Sequence, residues 1–188
     1  NAEVTMYEIG FFMKLVIQPN MNMMDAIFPY DYSLILEQDE KYFERIRELA
    51  KLALSKKAFS HIQGMTVHHR KHINKYNQYE PKRQLYILRE HMRGIILFEK
   101  GLLYNNILEQ AAFFPLIEKD IHMLVKMKNK KEYLSQEQYE KIFEIERELE
   151  NRLMLAKDFG PLRETPQDNL PKITKNFIKE IRRDFMEG

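Results

Sequence analysis

The stretch KRQLYILREHMRGIILFEKG, residues 82–101, constrains the fold of this chain more than any other. Wound at 100° per residue, Leu85, Leu88, Met92 and Ile96 form an apolar stripe. Lys82, Tyr86, Arg89 and Arg93 share a face roughly 90° away. An apolar stripe of that length requires a partner surface, so the segment is expected to be a helix docked on a core with cations along its flank. Pro81 suits the first turn and Gly101 the C′ stop. Lys82 and Arg89 stand two turns apart, about 10.5 Å along the axis, a spacing suited to gripping separate phosphates. A surface pair bridging to acids elsewhere fits the same pattern, and both readings stay open at this level.

Charge supports an anionic partner at this part of the chain. Residues 41–100 carry 14 Lys/Arg against 5 Asp/Glu, whereas the remainder carries 16 against 23. A basic middle between acidic flanks suits nucleotide or nucleic acid, and it also describes a solvated helical surface. A hydrophobic content of 44% in 188 residues supports one well-buried domain rather than disorder. No apolar run approaches ~18 residues, so no membrane partner is expected. The absence of Cys removes disulfides, thiolate metal sites and cysteine nucleophiles, and is compatible with a cytoplasmic location. Asn1-Ala2 leads directly into EVTMYEIGFF, which reads as an internal start with an earlier element missing by truncation or disorder.

Along the chain, residues 3–7 alternate as a β-rich strand end. A helix follows with Ile9, Phe12, Met13 and Val16 inward, interrupted at Pro19-Asn20 and resumed as MNMMDAIF, whose methionines suit an adaptable core. Asp39 is expected to cap a helix over 40–54 with Ile46, Leu49 and Ala53 inward. Ser55-Lys56-Lys57-Ala58 either prolongs it or turns a corner. Further helices are predicted over 59–76, 105–114, 118–128, 136–157 and 173–185. Ser135-Gln-Glu-Gln138 forms a capping box that opens the helix over 136–157, with Tyr139, Ile142, Phe143, Leu149 and Leu153 inward. The Pro-bearing segment 162–171 is expected to be extended. The fold class is thus mainly α, with a residual strand at 3–7.

Four stretches together resemble a known family. EVTMYEIGFFMKLVIQPNMNMMDAIF carries Glu3, Thr5, Tyr7, Glu8, Phe12, Asn20, Asn22 and Asp25 at matching positions. Leu54-Ser55-Lys56-Lys57-Ala58 leads to Gly64, and the 82–101 segment contributes Lys82, Arg89, Gly94 and Gly101. ETPQDNLPKI precedes the last helix. The pattern is similar to that of the predicted nucleotidyltransferases of the DNA polymerase β superfamily, in its YcgL-like bacterial and phage group. Pro19, Met21 and Tyr86 depart from it where Gly, Pro and His are usual. The Tyr86 change removes any histidine role at that point.

The resemblance implies transfer of a nucleoside monophosphate from an NTP to a hydroxyl acceptor such as RNA or a tRNA end. It also implies Mg²⁺ held by carboxylates, with Glu3 as the third of them and as the catalytic residue in this chain. Lys82, Arg89, Lys56, Lys57, Tyr86 and Arg93 are the expected nucleotide-holding residues. Residues 1–36 would then end a nucleotidyltransferase core and 37–188 form a helical substrate-binding domain. Such enzymes open with a Gly-Ser turn and an Asp-x-Asp strand; neither occurs here, so this chain alone is expected to be inactive. Without the resemblance, Glu3 reads as an exposed acid near a chain end. The alternative function is a helical module binding nucleic acid or protein without catalysis. His68 and His72, i and i+4, invite a metal site but lack an evident third ligand. Arg83 and His91 are too widely spaced for the Arg–His mark of small helical RNases.

Overall fold

Helix punctuation decides where each element of this chain starts and stops. The structure, a computed structural model, describes residues 8–28, 39–76 and 79–187, without the side chains of Tyr76 and Glu187. Among them are nine helices and no strand: α1 (Ile9–Ile17), α2 (Met21–Ile27), α3 (Glu40–Ala53), α4 (Ala58–Tyr76), α5 (Pro81–Lys100), α6 (Ile107–Ala111), α7 (Glu118–Lys130), α8 (Gln136–Phe159) and α9 (Leu170–Glu187). The mainly α class stands; the strand expected at 3–7 lies outside the described residues.

The caps have identifiable causes. The Glu8 carboxylate accepts from Phe11 N at 3.0 Å, and the Asn20 side chain accepts from Asn22 N at 3.0 Å, opening α1 and α2. Both residues belong to the stretch quoted for the family resemblance. At α8, Ser135 and Gln138 satisfy each other's backbone N–H in the expected capping box. Gly101 closes α5 at φ 68°, a left-handed conformation that favours glycine. Three expectations need correction. Asp39 sits in αR conformation and makes no side-chain cap. The helix expected over 105–114 shrinks to α6, because Asn106 caps it and tight turns take over after Ala111. The segment expected to stay extended to 171 turns helical at Leu170, since Pro171 fits a first turn that needs no N–H from it. The Lys56-Lys57 stretch turns a corner, with Lys56 N bonded to Arg163 O at 2.8 Å.

Two compact units result. The first joins Asn1–Ala58 with Arg163–Gly188, so α9 returns to pack on α1 and α3. Its core holds the fully buried Met13, Met21, Met24 and Leu49, the adaptable methionine packing anticipated above, together with Phe177 and Ile181. Tyr42 donates to Asp184 at 2.7 Å across α3 and α9.

The second unit is Phe59–Leu162. Here α5 is the central element, packed by α8, α7 and α6. Leu85, Leu88, Met92 and Ile96 are buried as the stripe predicts, and so are Ile87, Ile95, Leu97 and Phe98. The helix is therefore enclosed on most of its circumference in its second half. Gly94 lets neighbours approach closely: a Cβ there would meet Leu153 Cδ1 at 2.5 Å and Ile62 Cδ1 at 3.0 Å. Gly160 does the same after α8, where a Cβ would press on the carbonyl oxygens of Phe98 and Ala156. On α8, Ile142, Leu149 and Leu153 face inward as expected, but Phe143 is partly exposed.

Candidate phosphate-binding pocket

The first half of α5 emerges from the core, and there its cations meet solvent. Lys82 is exposed, and Tyr86 and Arg89 are half-buried. With Leu85 they form one wall of a pocket of about 270 Å³. Asn105, Asn106, Ile107 and Leu108 supply a second wall, and Val125 and Lys128 of α7 complete it. Three cations, Lys82, Arg89 and Lys128, thus converge on one concavity with an apolar floor. The arrangement can hold an anion while an adjoining sugar or base packs on Leu85, Ile107 and Val125.

Neighbouring groups hold this wall in place. The Arg89 guanidinium lies 5.3 Å from the Tyr86 ring centroid and the Lys82 ammonium 5.9 Å from it. His69 of α4 stacks on the same ring at 4.9 Å between centroids. Burial, then the positive charge of Arg83, pulls the His69 pKa down to about 4. A neutral His69 can accept from Arg83, whose Nη1 is 3.2 Å from Nδ1; Arg83 Nη2 lies 3.3 Å from His72 Nε2. Arg89 donates from Nη2 to Glu90 Oε1 at 3.1 Å, while its buried Nε has no acceptor among the described residues. That unused donor belongs to a side chain lining the pocket.

Arg93 requires a correction. It shares the helical face of Lys82 and Arg89 but is only 1% exposed, one turn deeper than Arg89, and ion-paired with Glu90, which is fully buried. It serves the interior rather than the pocket. Lys56 and Lys57 belong to the first unit, where Lys56 pairs with Glu164 at 2.8 Å and Lys57 is exposed. Glu3 lies outside the described residues. Of the expected nucleotide-holding set, Lys82, Tyr86 and Arg89 come together. Lys128, Asn105 and Asn106 join them from segments that carried no signal beyond a basic helix end and an Asn before a short helix.

Among the described residues, no group of three or more His, Asp or Glu side chains is placed to hold a metal ion. The His68/His72 pair gains no third ligand among them. No helix among them is long and apolar enough to cross a membrane.

Three cations around one pocket make an arrangement suited to an anionic ligand. Compared with known proteins, the chain matches the RlaP family, the RNA repair pathway DNA polymerase beta family, over residues 1–179. It belongs to that family, in agreement with the polymerase β-like nucleotidyltransferase resemblance. Over 95 residues it is 30% identical to the uncharacterized protein MJ0002 of Methanocaldococcus jannaschii. That match covers 50% of this chain and 37% of the relative, so the chain spans well under two thirds of the relative's length. No solved structure matches it.

Proposed function

We propose that this chain is the helical substrate-binding part of a polymerase β-type nucleotidyltransferase acting in RNA repair, close to the YcgL-like group. The complete enzyme would move a nucleoside monophosphate from an NTP to a hydroxyl of an RNA or tRNA acceptor and release pyrophosphate. In this reading, residues 1–36 end the nucleotidyltransferase core and 37–188 bind substrate. The observation that carries it is the convergence of Lys82, Arg89 and Lys128 on one pocket in a member of this family. The three cations orient the triphosphate and offset its charge, and Tyr86 holds Arg89 in register. Such transfer uses Mg²⁺, which takes one or two carboxylates together with the phosphates of the substrate. Glu3 remains the proposed contribution of this chain to metal binding, and Lys56 and Lys57 remain proposed contacts to nucleotide or acceptor.

One observation favours a second reading, in which the chain binds nucleic acid without catalysing. These 188 residues contain neither Gly-Ser nor Asp-x-Asp. Titration of a fluorescent ATP analogue into the protein separates the two. Lys82→Ala and Arg89→Ala are each expected to weaken binding about 10- to 100-fold, the loss of one charge-assisted contact. The unfolding temperature of Lys82→Ala should stay at the parent value, because Lys82 is exposed. Equal affinity in parent and both variants would remove the pocket from the account. Binding of RNA in a salt-sensitive manner, with none of ATP, would select the second reading.

A further inference from the structure

We propose that the groove between α1 and α9 in the first unit is a binding track for the phosphate backbone of single-stranded RNA. It is separate from the α5–α7 pocket and stands whether or not that pocket takes nucleotide. The groove has a volume of about 360 Å³. Gly10, Lys14 and Ile17 of α1 form one wall, and α9 forms the other with Pro171, Thr174, Lys175, Ile178, Lys179 and Arg182. The spacings explain why these residues share a groove. Positions 10, 14 and 17, and positions 171, 174, 175, 178, 179 and 182, each recur every three or four residues along one helix face. Lys175 and Arg182 are seven residues apart, so the α9 cations span about 10.5 Å along the groove.

The charge balance points to the occupant. Glu8, beside this groove, is committed: it caps α1 and pairs with Arg182 at 2.6 Å. Among the described residues, Lys14, Lys175 and Lys179 have no carboxylate within ion-pair distance. Three lysines on two facing walls repel one another, and a polyanion laid between them relieves that repulsion. Ile17 and Ile178 give an apolar floor for sugars or bases, a combination used by single-strand grooves. Thr174 also lines the groove, and its buried hydroxyl has no partner among the described residues. Phe185 and Met186 are exposed further along α9, so an anionic membrane is the competing occupant. Exposed lysines on both walls of a groove, rather than on one flat face, suit a strand better than a bilayer surface.

Fluorescence anisotropy with a labelled oligouridylate, at salt concentrations from about 50 to 200 mM, tests the proposal. For Lys175→Gln/Lys179→Gln, the slope of log K against log salt should flatten by about 1.4, or 0.7 for each lost phosphate contact. The charge-matched control Arg45→Gln/Lys51→Gln, on exposed positions of α3, should keep the parent slope. Equal flattening in the control would reduce the effect to diffuse attraction and overturn the proposal. An unchanged slope in the groove variant overturns it too, as does absence of RNA binding by the parent. Sedimentation with phosphatidylcholine/phosphatidylserine vesicles supplies the last arm: loss of vesicle binding in the groove variant, with its RNA slope intact, assigns the groove to membrane instead. ATP affinity of the groove variant should equal the parent's, which keeps this outcome apart from the fate of the α5–α7 pocket.

Discussion

Glu90→Leu is expected to destabilise the Phe59–Leu162 unit by about 3–5 kcal/mol, a fall in unfolding temperature of more than about 10 °C. Glu90 is fully buried and Arg93 nearly so, and the two pair within one turn of α5. Removing the carboxylate leaves the guanidinium beside it in the interior without that counter-charge, and neutralising Arg is not an available escape. The double variant Glu90→Leu/Arg93→Leu removes both charges and should regain most or all of the loss, because apolar side chains of similar size need no desolvation of ions. Denaturant unfolding of the parent, the single and the double variant reads this directly. A single variant as stable as the parent would show that the pair is not buried as described. The same change reaches the pocket, since Glu90 accepts from Arg89. Glu90→Leu should therefore also weaken nucleotide binding, through positioning of Arg89 rather than contact with ligand.

Acidification supplies the second large effect. His91 is buried one residue further along α5, and burial, followed by the positive charge of Arg70, holds its pKa down to about 4. The unfolded chain titrates near 6.5, so below that pH unfolding takes up a proton that the folded unit resists. The contribution of neutral His91 is intact above about pH 6.5 and is lost as the pH falls toward 4, an effect on the order of 3 kcal/mol. His69, also shifted down to about 4, adds in the same direction but less, being partly exposed. Glu146 works the other way: burial raises its pKa against the lowering effect of its Arg70 partner, so it favours the folded state as acid is added. The diagnostic is thus the difference between proteins. Denaturation midpoints measured from about pH 7.5 down to about pH 4.5 should fall less steeply in His91→Leu than in the parent. Parallel curves would remove His91 as the cause.

These two residues show what periodicity can and cannot reveal. The helical wheel placed Arg93 on the face of Lys82 and Arg89, and that angular statement is sound. Depth is a different property. It depends on how far α6, α7 and α8 extend along α5, and those contacts join residues distant in sequence. The same reason hid Lys128, Asn105 and Asn106, whose place in the pocket follows from how α7 and the segment before α6 pack. Local signals fared better because their physics is local: Pro81 and Gly101 bound α5, and Ser135 with Gln138 opens α8. The wrong cap at Asp39 shows that residue type alone does not settle even a local matter; backbone conformation decides. Nothing in the order of segments announced that α9 would return to the first unit, which requires pairing across more than a hundred residues.

Photo-crosslinking with 8-azido-ATP, followed by mass spectrometry of the peptides, addresses the α5–α7 pocket most directly. Adducts are expected within residues 82–89, 105–108 or 125–128, suppressed by excess ATP and reduced in Arg89→Ala. Competed adducts confined to other segments, with these three unlabelled, would contradict it.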